Sequence, residues 1–250
     1  MNAFCQLAAI LNKGDKAVLL TLIKEQGLTR GLAGRKVIYD FYGNIMSSEL
    51  PDNLTGLVAP CVSDFIKGKA QAVTEVLQAD EGSYEVYMEK YIPAPKALIF
   101  GAGHVSQPTS HLLKTIGFNV TVIDDRISFA NRERFPDADE IIVDSFEKVA
   151  QDIEVDANTW VILLTRGHHH DFVCLEKLID KPAAYFGMIG SRRRAATIRE
   201  QLLEAGKPRE KVDKLYCPIG LNIGAETPEE LAVSIVSQII AVKYNKEAGV

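Results

Sequence analysis

The spacing of apolar positions changes character near residue 93. Before it, the predicted elements are short and mixed. Asn2 to Leu11 follows a helical pattern, and Ala17 to Ile23 is an apolar strand. Lys36 to Asp40 and Asn44 to Ser48 flank Phe41-Tyr42-Gly43 and predict a hairpin with a glycine in its turn. Leu54 to Lys67 is helical in pattern, with Pro60 expected to set a boundary inside it. Tyr84 to Tyr91 alternates apolar and polar positions, as a half-buried strand does. Together these predict a small N-terminal α+β domain over residues 1–92. Ile92-Pro93-Ala94-Pro95 is the expected linker, because closely spaced prolines fix φ and suit neither helix nor sheet.

From Lys96 the pattern is regular. Apolar runs at Ala97–Phe100, Asn119–Ile123, Glu140–Val143, Trp160–Leu164 and Ala183–Ile189 are separated by polar or helical stretches. Short, wholly apolar strands alternating with helices predict a parallel sheet covered on both faces. The expected fold class is α/β: a Rossmann-like doubly wound parallel sheet over residues 96–250, preceded by the smaller domain.

Three segments at the expected C-terminal ends of these strands carry candidate chemistry. The first is Phe100-Gly101-Ala102-Gly103-His104-Val105-Ser106, a GxGxxS loop between strand and helix. Gly101 suits the tight turn, Gly103 the close approach of a pyrophosphate to the backbone, and Ser106 the small packing position. His104 lies inside the loop. Val120 to Asp124 ends in a carboxylate 21 residues after Gly103, where a dinucleotide fold places the acid that binds a ribose. The second segment is Thr165-Arg166-Gly167-His168-His169-His170-Asp171. Adjacent histidines on a loop converge poorly on one ion, and no HExxH metal spacing stands in the segment. A polar site contact through His168 and Asp171 is the favoured reading, and no metal is expected. The plain alternative is a loop in which Asp171 caps the next helix.

The third segment, Gly187 to Arg194, places Gly190, Ser191, Arg192 and Arg193 at a helix start. Backbone N–H groups, a hydroxyl and guanidiniums there suit an anion. Of the three arginines, Arg192 and Arg193 are favoured. Farther on, Thr227 and Glu230 form a capping box with Pro228 at the first helical position. Gly220 and Gly224 are turn glycines or points of close ligand approach.

Composition narrows the classes. Hydrophobic residues make up 47% and charged residues 24%, which fits a globular protein and excludes a disordered chain. A net charge of −5 argues against a general nucleic-acid binder. Cys5, Cys61, Cys174 and Cys217 form no CxxC pair, so neither a zinc finger nor a disulfide framework is expected, and a reducing cytoplasm suits them. The N-terminus lacks the basic start and apolar core of a signal peptide, and no apolar run nears membrane-spanning length. No membrane partner is expected.

The segments GAGHVSQP, VIDDR, RFP, TRGHHHD, YFGMIGSRRR and PIGLNIGAETPEELAVSI stand in this order over residues 96 to 245. In that order they resemble the XdhC/CoxI family, accessory factors of xanthine dehydrogenase and related molybdenum hydroxylases. Gly101, Gly103 and His104 match its glycine-loop motif, and Asp124 and Arg126 its VxDxR motif. His168 and Asp171 match TRGHxxD, and Gly190, Ser191, Arg192 and Arg193 match GSRR. The resemblance implies a homodimeric chaperone that binds the molybdenum cofactor, as molybdopterin or its dinucleotide form. Such a chaperone assists sulfuration of the cofactor and hands it to a xanthine dehydrogenase-type hydroxylase, with a cysteine desulfurase as a further partner. The first domain departs from the family pattern: it lacks the GGCxE segment, and Cys61 does not match it. A rival reading is an NAD(P)-dependent oxidoreductase using the same loop and Asp124, with His168 as proton donor. A third is a nucleotide-sensing module without turnover.

Overall fold

The computed structural model describes residues 3–27, 31–80, 82–166, 168–244 and 246, and the side chains of His168 and His169 lie outside that description. The chain divides into two compact units, one ending at Pro93 and the other starting at Ala94.

The first unit runs α1 (Ala3–Asn12), β1 (Ala17–Gly27), β2 (Lys36–Asp40), β3 (Ile45–Ser48), α2 (Asp52–Lys67), β4 (Ala72–Ala79) and β5 (Gly82–Tyr91). Its antiparallel sheet has the order β3-β2-β1-β5-β4. The period of two along β1 sends Val18, Leu20 and Leu22 toward α2, where they meet Leu54, Val58, Val62 and Phe65. Ala17 and Leu19 face the other way and pack with Ala3 and Leu7 of α1.

Two expectations are corrected here. Pro60 does not interrupt its helix, because α2 runs unbroken through it. Pro60 and Gly56, one turn earlier, are both exposed, so water can satisfy the carbonyl that the proline leaves unpaired. The buried stripe on the opposite face holds the helix together. The strand β4 has no counterpart among the predicted elements. It is an edge strand whose inward face, Val73, Leu77 and Ala79, is only half-buried and is interrupted by Glu75, so its alternation is weak.

The second unit contains β6 (Lys96–Phe100), α3 (Ser106–Thr115), β7 (Asn119–Ile123), β8 (Glu140–Ile142), α4 (Phe146–Asp152), β9 (Thr159–Leu163) and α5 (His168–Leu178). It continues with β10 (Tyr185–Met188), α6 (Arg192–Glu204), α7 (Arg209–Val212) and α8 (Pro228–Lys243). All strand pairs are parallel, in the order β10-β9-β6-β7-β8. Successive residues of β6 feed opposite cores. Leu98 and Phe100 pack toward α4, α5 and α6, and Ala97 and Ile99 toward α3 and α8. This is the doubly wound sheet that the apolar runs predict. The strand order reverses direction between β6 and β9, so the C-terminal ends of these two strands flank the crevice where such sheets take ligands. The capping box at α8 is complete: the Thr227 hydroxyl accepts from the Glu230 amide, and the Glu230 carboxylate accepts from the Thr227 amide. Among the described residues no helix is long and apolar enough to cross a membrane.

Candidate functional site

The glycine loop leaves β6 through Gly101, whose φ is +106°. A Cβ there would lie 2.4 Å from the Leu164 carbonyl oxygen, so the neighbouring β9 backbone excludes any side chain. Gly103 differs, because nothing lies within 4 Å of where its Cβ would stand. No side chain caps α3, but Ser106 is fully buried and Pro108 has no N–H, so of the first turn only Gln107 offers an amide to solvent or an anion. Ser106 is fully buried, as its packing position requires, and its hydroxyl has no hydrogen-bond partner among the described residues. His104 is exposed on the loop.

Asp124 ends β7 at the expected point, but its carboxylate does not wait for a ribose. The group is fully buried. Oδ1 accepts from Arg126 N at 3.1 Å and Arg126 Nε at 2.8 Å, and Oδ2 accepts from Ala102 N at 2.8 Å and Arg126 Nη2 at 2.9 Å. A carboxylate offers about four acceptor sites, and these donors fill them. Burial alone would raise the Asp124 pKa, but the hydrogen bonds from Arg126 and Ala102 outweigh it and hold the acid below its ordinary range. Asp124 therefore ties the glycine loop to Arg126.

Sequence reasoning missed three neighbours of this loop. The Phe129 ring has the guanidiniums of Arg126, Arg134 and Arg166 at 3.9, 5.1 and 5.3 Å from its centroid. Arg134 reaches the loop itself, donating to the Ala102 carbonyl at 3.3 Å and to Gln107 Oε1 at 3.1 Å. Its Nε is buried with no partner among the described residues. Arg166 is exposed. The signal was present in RFP and TRGHHHD, but only the strand order brings those segments beside β6.

The turn after β10 stands two strands away from the glycine loop, roughly 10 Å by strand spacing. Ser191 caps α6, its hydroxyl accepting from the Arg194 amide at 3.2 Å. Arg192 and Arg193 are exposed, whereas Arg194 turns inward and pairs with buried Asp171. Gly190 packs against Arg194: a Cβ on it would lie 3.0 Å from Arg194 Cδ. Arg192 lines a cavity of about 290 Å³ with Gly220, Leu221, Asn222 and Gly224. Gly220 is a glycine for internal reasons, since at φ +97° a Cβ would lie 2.4 Å from Ser234 Oγ. Asp171 lies in the first turn of α5 and accepts from the Thr165 hydroxyl, so it is a buried structural carboxylate. His168 begins α5, and its side chain lies outside the described residues. Cys61 sits on α2, where burial, aided by the Glu75 carboxylate, pushes its thiol pKa up, away from an activated thiolate.

A parallel sheet with a glycine loop at its switch point and arginines along the C-terminal edge defines a Rossmann-type domain with a cationic edge. The chain belongs to the XdhC family: the XdhC Rossmann domain matches residues 97–239. It is 32% identical over 169 residues to the uncharacterized protein YqeB of Escherichia coli, covering 67% of this chain and 31% of that protein. It is 31% identical to a probable xanthine dehydrogenase subunit from Bacillus subtilis, covering 63% of this chain and 46% of that protein. With the molybdenum cofactor insertion chaperone PaoD of Escherichia coli it shares 23% identity, covering 62% of this chain and 42% of that protein. The chain thus spans less than half the length of these relatives. A Bacillus halodurans crystal structure described as a xanthine dehydrogenase has the same fold, with a TM-score of 0.56 and 21% identity over 100% of this chain and 98% of that one.

Proposed function

We propose that this chain is an accessory factor that binds the molybdenum cofactor at the C-terminal edge of its parallel sheet. It shields the cofactor during sulfuration, with sulfur supplied by a cysteine desulfurase, and passes it as a homodimer to a xanthine dehydrogenase-type hydroxylase. The observation that carries this reading is the glycine loop: an open Gly103 leads into an uncapped α3, with Arg134 hydrogen-bonded to the loop at Ala102 and Gln107 and exposed Arg166 beside Phe129. That combination fits the phosphate end of a pterin cofactor. Arg192, with the cavity beside it, suits a second part of the same ligand. The similarity to an insertion chaperone supports the transfer role. The bound cofactor supplies the redox chemistry that the hydroxylase uses. This chain's residues hold the anionic end and keep it from water. Against the oxidoreductase reading stands Asp124, whose acceptor sites are filled.

The test is transfer. The chain, incubated with cofactor released from a molybdenum enzyme, should retain a pterin that fluoresces after oxidation and should then activate a cofactor-free hydroxylase. A chain that retains nicotinamide and no pterin would overturn the proposal.

A further inference from the structure

We infer that the glycine-loop end of this edge is a phosphomonoester site, closed to the ribose of a dinucleotide by the Asp124–Arg126 pair. The inference rests on the cofactor reading and adds which end of the ligand binds here and in which form.

Charge comes first. Three guanidiniums crowd one aromatic ring. Arg126 is neutralised by buried Asp124, with exposed Asp125 a further 3.8 Å contact. Among the described residues no ion pair joins Arg134 or Arg166 to a carboxylate. The Phe129 ring face offsets part of their repulsion, and an arriving anion would offset the rest. A phosphomonoester carries nearly two negative charges at neutral pH, against one per phosphate in a pyrophosphate diester. The diester thus also carries two charges but spreads them over two phosphates, whereas the monoester presents both at one point, which suits two unmatched guanidiniums about one ring.

Hydrogen bonding agrees. The donors a ligand can reach at the loop are the uncapped Gln107 amide and the exposed Arg166 guanidinium, and a terminal phosphate is rich in acceptors for them. A ribose needs the opposite: a carboxylate with acceptor sites to spare. Asp124 has none, since Ala102 and Arg126 fill all four. Asp124 is a positioning residue that fixes Arg126 beneath the ring, and Arg126 in turn blocks the ribose contact.

Calorimetric titration of the full chain tests this with four probes: molybdenum cofactor in its mononucleotide and dinucleotide forms, NAD and NADP. The mononucleotide form, which ends in a phosphomonoester, should bind at least tenfold more tightly than the dinucleotide form. Arg166→Ala and Arg134→Gln should each weaken it about ten- to a hundredfold. Arg166 is exposed, so its loss leaves folding intact. Arg126→Ala should raise NAD affinity several-fold by freeing Asp124 acceptor sites, a gain that a merely structural role would not produce. Equal affinity for both cofactor forms, unmoved by the arginine variants, would overturn the inference and leave the accessory-factor reading standing. NADP bound more tightly than any pterin, and weakened by Arg166→Ala, would support the phosphomonoester site and overturn the accessory-factor reading. NAD and NADP bound equally well by the unaltered chain would overturn the phosphomonoester site.

Discussion

Arg194 reaches inward from the first turn of α6 and pairs its Nη2 with Oδ2 of Asp171 on α5. Asp171 is fully buried and Arg194 retains only 16% of its side-chain exposure, so the pair fastens two helices beneath the sheet edge. The third arginine of the basic turn is therefore a structural residue, whereas its neighbours Arg192 and Arg193 are exposed. Asp171→Ala removes the buried carboxylate that Arg194 pairs with and should cost about 3–5 kcal/mol. Urea unfolding would show this as a lowered midpoint at unchanged slope. A stability loss below about 1 kcal/mol would mean that water or another acceptor replaces the carboxylate.

The two loop glycines should separate fold from function. Gly101→Ala places a methyl against the β9 backbone at a positive φ, so it should sharply lower the melting temperature or leave the protein insoluble. Gly103→Ala meets open space and should melt within a few degrees of the unaltered protein while weakening pterin binding. Equal stability losses in the two variants would contradict the assignment.

The Asp124 carboxylate gives a pH dependence of known sign. Its folded pKa is depressed, so its stabilisation is complete above the ordinary aspartate value of about 3.9 and is lost as pH falls through the lower folded value. Asp139 and Asp156, where burial is outweighed by hydrogen bonds that include those from Lys114 and Lys96, behave alike. The comparison that isolates Asp124 is the stability gap between the native chain and Asp124→Asn. That gap should be widest near neutrality and narrow below about pH 4. A gap constant from pH 7 to 3 would remove the ionised pair from the account.

Pro60 provides a test in the first unit. It lies exposed in the middle of α2, where proline is about 3 kcal/mol less favourable than alanine. Pro60→Ala restores an amide donor toward the Gly56 carbonyl. Unfolding of that unit should shift to higher denaturant, by less than the full amount because alanine also loosens the unfolded chain. A lowered midpoint would show that the ring packs against something the helix needs.

How far the sequence could be read follows from what each feature depends on. The parallel sheet was legible because strands buried on both faces leave uninterrupted apolar runs, as in Val161, Ile162 and Leu163. The loop, Asp124 and the Thr227 capping box were legible because their partners are close in sequence or fixed by the βαβ unit. Asp124's role was not. Position along the strand places the carboxylate, but only the folded turn brings Arg126 back onto it. The cluster about Phe129 is still less local: Arg134 and Arg166 come from segments that meet only because β7 and β9 both flank β6. The strand β4 was hard to read because Glu75 interrupts its inward face, where Val73, Leu77 and Ala79 are only half-buried, while Val76 is exposed on the other.

The central claim is that the edge beside Gly103 receives the molybdenum cofactor. The most direct measurement is the amount of pterin retained, after gel filtration, by the full chain and by Gly103→Val when each is mixed with released cofactor. Near-stoichiometric retention by the native chain, lost in Gly103→Val at unchanged melting temperature, is the predicted result. Equal retention by both proteins, or none by either, would contradict it.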